Sequence, residues 1–115
     1  MTIKNYDKLP SGNTRTILAQ WADLANGDEG EALPFSQYAD KTVQVVGTFG
    51  AGGSVTIEGS NNGTDWAVLA DAQGNALNIT SAKIEQVLEV TQYVRPRVTA
   101  GDGTTSINVI LLARE

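Results

Sequence analysis

Glu85 and Glu89, four residues apart in this 115-residue chain, are the side chains best placed to do chemistry, because a pair of carboxylates is what most glycoside hydrolysis needs. On a strand they share a face but stand roughly 13 Å apart, and working pairs stand about 5 to 9.5 Å apart. On a helix they would come close enough, yet a solvated polar face is the favoured reading even then. Asp28, Glu29 and Glu31 near Asn26, and Asn61, Asn62 and Asp65 further on, offer oxygen ligands of the kind calcium takes. Neither group has the spacing of a calcium loop, and both read as polar turns. Gly52-Gly53 and Gly101-Asp102-Gly103 precede no helix and carry no Lys-Ser or Lys-Thr, so they are turns and not phosphate cradles.

Histidine and cysteine are both absent. That removes the commonest general base, most zinc ligand sets and nearly all Ser-His or Cys-His nucleophile schemes. The expectation from these counts is a protein that is not an enzyme and holds no cofactor or metal. Tyr93, Arg95 and Arg97 point the same way on an extended segment. They read either as a clamp on acidic groups of a partner, through bidentate guanidinium contacts, or as a charged edge that discourages sheet-to-sheet aggregation. Trp21 and Trp66 could stack on a sugar, but both sit in apolar registers and are expected in the core.

The elements that must position these groups are strands. Residues 1–13 are polar, contain Pro10 and Gly12 and show no periodicity, which predicts an extended N-terminal arm that either frays or grips a neighbour. Residues 14–115 are expected to form one domain. Ile17, Ala19 and Trp21 alternate with Leu18 and Gln20, and Val43, Val45, Gly47 and Phe49 alternate with Gln44, Val46 and Thr48. Pro34 interrupts the extended piece at 32–38.

Val55 and Ile57 are expected inward, with Thr56 and Glu58 outward. The Asn62-Gly63 pair predicts a tight hairpin that returns with Trp66, Val68 and Ala70 on one face and Trp66 as the aromatic anchor. After a turn at 71–75 and a short strand at 77–80, residues 83–90 fit a strand or a helical stripe, and strand is favoured. Residues 93–100 alternate, with Pro96 suggesting an edge or a bulge, and 105–113 is apolar on both faces. Some eight short strands, Gly-rich turns and no long helix predict an all-β, two-sheet antiparallel sandwich, jelly-roll-like.

The composition suits a folded chain, with 41% hydrophobic and 18% charged residues. A net charge of −5 is a poor match for nucleic acid or an anionic membrane, so neither is an expected partner. No apolar stretch reads as a signal peptide or a membrane span, so the protein is expected to stay in water.

Three stretches carry a resemblance: Tyr38-Ala39-Asp40-Lys41-Thr42-Val43-Gln44-Val45-Val46-Gly47-Thr48-Phe49, Val55-Thr56-Ile57-Glu58-Gly59-Ser60-Asn61-Asn62-Gly63-Thr64-Asp65-Trp66, and Val94-Arg95-Pro96-Arg97-Val98-Thr99-Ala100-Gly101-Asp102-Gly103. Together they resemble the capsid decoration, or cement, proteins of tailed bacteriophages, over about residues 30–115. The resemblance implies a structural protein on the outer surface of the virion capsid, made in the host cytoplasm, that binds the major capsid protein and bridges coat subunits. It also implies a homodimer or homotrimer. Contact candidates are then the N-terminal arm with Tyr6, the strand bearing Tyr93, Arg95 and Arg97, and the turn tip at Asn61, Asn62 and Thr64. Residues 59–66 also resemble a hairpin of discoidin-like carbohydrate-binding sandwiches, which keeps an adhesion module as a rival, beside a connector or tail component.

Overall fold

The computed structural model describes residues 2–12, 15–34 and 36–115. The boundary expected at residues 13–14, between arm and domain, lies outside them. The strands are β1 (Ile3–Lys4), β2 (Tyr6–Leu9), β3 (Thr16–Leu24), β4 (Glu29–Gly30), β5 (Leu33–Pro34) and β6 (Asp40–Thr48), then β7 (Ser54–Ser60), β8 (Ala67–Val68), β9 (Asn78–Ile79), β10 (Lys83–Gln86), β11 (Tyr93–Ala100) and β12 (Ser106–Arg114). One sheet runs β10-β6-β12-β3-β2, and the other runs β1-β4-β11-β7-β8 with β5 beside β11 and β9 beside β7. From β3 onward the chain changes sheet at each long connection. The two sheets therefore wrap as a jelly roll, and the all-β sandwich expected from the alternation is what the chain forms.

The alternation also sets the core. Val43 and Val45 of β6, Val109 and Leu111 of β12, and Ala19 and Trp21 of β3 face Val55, Ile57, Val94 and Val98 of the other sheet, and all are buried. Trp21 is the centre of this layer: its indole N–H donates to the Glu31 carbonyl at 3.0 Å and the Tyr6 ring meets it edge-on at 5.9 Å. Gly30 makes the fit possible, because a Cβ there would come within 2.6 Å of both the Trp21 ring and Pro96.

Several local expectations are corrected. The N-terminal arm grips its own chain: β1 lies parallel to β4 and β2 antiparallel to β3, so residues 3–9 strap both sheets. Pro96 sits in neither an edge nor a bulge but in β11, bonded on one side to β7. The Val98 amide donates to the Asp28 carbonyl across the other side, and by alternation the Pro96 nitrogen points that way too. There it falls between β5, which pairs Tyr93 and Val94, and β4, which pairs Arg97, so no ladder bond is lost. The register shift in β11 occurs instead between Val98 and Ala100.

The Asn-Gly hairpin is a longer loop, because Gly63 takes a positive φ of 77° while Asn62 does not, and a type I′ turn needs both. Asn62 instead folds its side chain back, its Oδ1 accepting from the amides of Thr64 and Asp65 at 2.9 Å each. The extra residues shift the return strand by one: Leu69 is buried, while Val68 is 43% exposed. Trp66 is half-buried, and Trp21 is the aromatic anchor. Residues 83–86 are a strand, as favoured.

Candidate partner-binding face

Alternation along β11 turns Val94, Pro96 and Val98 inward and Tyr93, Arg95 and Arg97 outward. The register sets Glu58 of β7 opposite Arg95, and Glu29 of β4 opposite Arg97, on that same outer face. Unlike-charged cross-strand neighbours follow. Arg95 reaches Glu58 Oε1 through Nε and Nη2, both at 3.1 Å, and Glu29 Oε2 through Nη1 at 3.2 Å. Arg97 Nε meets Glu58 Oε2 at 3.0 Å, and the Thr56 hydroxyl donates to the same oxygen at 3.3 Å.

Glu58 and Thr56 were expected to face solvent, and they are buried instead, because the arginine stems and the following loop cover them. The Arg95 guanidinium lies 4.0 Å over the Trp66 ring, a cation–π contact that closes the network on its far side. The exposures rank the members: the Glu58 side chain is 6% exposed, Glu29 14%, Arg95 17% and Arg97 46%. Two arginines and two glutamates neutralise one another, and Arg97 is the member presented to solvent. A guanidinium that is still partly open to solvent suits a carboxylate on a partner surface.

The structure thus brings Tyr93, Arg95 and Arg97 together with the loop that holds Asn61, Asn62 and Thr64. A methyl group on Gly63 would touch the Tyr93 ring at 3.5 Å, and Asn61 Oδ1 accepts the Gln92 amide at 2.9 Å. Tyr6 is elsewhere, packed on Trp21 in the other sheet. Glu58, Glu29 and Trp66 are the members that the residue pattern did not reveal. The signal lies in a pairing 37 residues apart in sequence, legible only once β7 and β11 are known to be neighbours.

The other candidate chemistries separate. Glu85 pairs with Lys83 at 3.7 Å, while Glu89, beyond the end of β10, accepts the Ala70 amide at 2.8 Å. Asp28 ties its loop by accepting from Ala25 at 2.9 Å and Thr2 at 3.2 Å, Glu29 belongs to Arg95, and Glu31 accepts from the Tyr6 amide at 3.3 Å. Asn62 and Asp65 bond each other at 2.9 Å. Among the described residues no three carboxylates converge as a metal site.

Two ionisable groups stand apart from their usual range. Burial pushes the Lys41 ammonium down, against the pull of Glu89 and Asp40. The Asp102 carboxyl is held at about 2, chiefly by the Thr104 hydroxyl and then by the amides of Ala51 and Thr104. Asp102 thereby ties the turn at 50–53 to the turn at 101–105. A carboxyl whose folded value is depressed stabilises above its unfolded value of 3.8 and loses that contribution as pH falls through about 2. The Ala51 amide resonance should therefore titrate with a midpoint near about 2; a midpoint at 3.8 would mean that the turns are not joined.

No protein-family model and no curated protein matches the chain. Solved structures do. The SPBc2 prophage-derived protein YomS matches with a TM-score of 0.66 at 11% identity, over 90% of this chain and 97% of that one. An RmlC-like cupin protein from Desulfovibrio desulfuricans matches at 0.54 and 7% identity, over 95% of this chain and 79% of that one. KdgF from Halomonas sp. matches at 0.50 and 9% identity, over 96% of this chain and 77% of that one. At these identities the shared property is the fold.

The comparison corrects one expectation. Structures with this fold include cupin enzymes, so the inference that the chain is not an enzyme does not hold. Missing imidazole and thiol exclude particular mechanisms, not catalysis as such.

Proposed function

We propose that this chain is a bacteriophage structural protein that attaches to the outer surface of the assembled capsid and stabilises it by bridging coat subunits. The observation that carries the reading is the near full-length match in fold to a prophage-derived protein. The outer face of β11 and β7 supports it: a rigid platform whose charges are already paired, with Arg97, Tyr93 and the 61–66 loop at its surface, fits a fixed docking contact. A paired platform loses little conformational entropy on binding. Many weak contacts on a lattice then add through avidity.

The carbohydrate-binding alternative needs an open aromatic platform. Trp21 is buried and the Trp66 ring has Arg95 over it, so neither residue favours that reading. Purified protein should cosediment with undecorated phage heads and saturate at a fixed number of copies per coat subunit. Absence of any binding would remove the proposal.

A further inference from the structure

The outer face of the β10-β6-β12-β3-β2 sheet has the opposite character to the charged one. Register sets Ile84, Gln44, Ile110 and Gln20 in one row that ends at Asp7. The next row is Gln86, Thr42, Leu112, Leu18 and Leu9. Asp7, on the edge strand, is the one charge in these two rows. Ile84 is 60% exposed and Leu112 41%. Beside them lies a hollow of about 320 Å³ between Lys41, Thr42, Gln86, Leu112 and the Asp40–Arg114 ion pair.

We propose that two copies of this chain meet through this face in an isologous, two-fold contact. Charge selects the face: each copy carries −5, so like copies repel, and they do so least where the two central rows carry a single charge, Asp7, at the sheet edge. Chemistry selects the partner. An isologous patch must complement itself, and the amides of Gln20, Gln44 and Gln86 each donate and accept, so two such faces can satisfy one another without an opposite charge. Ile84 projects beside the hollow, and two-fold contact can use projection and hollow twice over. Size is at the lower end for a specific contact: three strands of nine residues and two of four, at ~4.8 Å between strands and ~3.4 Å per residue, give a footprint of roughly 570 Å², against about 600 to 1,000 Å² per partner in a stable interface. Absence of charge at the centre with polar groups at the rim is also how interfaces are composed. This contact stands whether or not the protein binds capsids.

Sedimentation velocity of the full chain up to roughly 100 μM, well above the micromolar dissociation constants at the weak end for interfaces of this size, should show a species of twice 12.1 kDa. Ile84→Lys and Leu112→Lys place like charges in the contact and should weaken association roughly 100-fold or more. Their thermal melts should be unchanged at concentrations low enough that the wild type is monomeric, because both side chains are exposed. Gln44→Glu, exposed in the same row as Ile84, serves if either variant melts early. Arg97→Ala should associate as the wild type does. A wild-type monomer throughout, a dimer indifferent to these charges, or one abolished by Arg97→Ala would overturn the proposal.

Discussion

Glu58→Ala is expected to cost about 3 kcal/mol of folding stability, because it leaves the Arg95 guanidinium facing a desolvated gap and takes the counter-charge from Arg97. The Glu58 side chain is 6% exposed and receives Arg95, Arg97 and the Thr56 hydroxyl. Arg95 keeps Glu29, which holds the cost near the low end of what breaking a buried pair entails. Arg97→Ala, at 46% exposure, should cost no more than about 1 kcal/mol. Urea unfolding of the two variants reads the contrast directly. Equal, small effects would mean that water screens the whole network and that the platform is not preorganised.

Trp21→Ala is expected to be more severe, at about 3 to 5 kcal/mol. The side chain is fully buried, and removing it opens a cavity at the centre of the sandwich, strips the Glu31 carbonyl of its donor and leaves Tyr6 without its edge-on partner. Such a loss is a large part of the roughly 5 to 15 kcal/mol that holds a domain together. Trp21→Phe keeps most of the volume and serves where the alanine variant does not fold. The chain has two tryptophans, so either variant leaves Trp66 as the reporter. Its emission should be red-shifted relative to wild type, in keeping with a half-buried ring under Arg95. Wild-type stability in Trp21→Ala would contradict the packing described here.

Strand alternation made the two-sheet architecture legible in the sequence, since Val43 and Val45, and Val109 and Leu111, announce which face each long strand buries. The candidate site was half legible. Tyr93, Arg95 and Arg97 share a face by period-two spacing alone, but their counter-charges come from strands paired across long intervals of sequence, and no local pattern reports those. Trp66 misled for a definable reason. A six-residue loop at 61–66 stands where a tight hairpin around Asn62-Gly63, returning from Asp65, was expected, and a shift of one residue exchanges the inward and outward sets of the strand that follows. The strap at residues 3–9 was equally hidden, because strands of two and four residues are too short to show periodicity, and backbone bonds to β4 and β3 hold them.

Attachment to the capsid exterior is the claim on which the functional account turns, and a cryo-electron microscopy reconstruction of phage heads incubated with the purified chain tests it most directly. The account predicts jelly-roll density on the outer lattice, spanning adjacent coat subunits, with the Tyr93, Arg95 and Arg97 face turned toward the coat. Outer-surface density absent from saturated heads, or copies located inside the shell or in the tail, would contradict it.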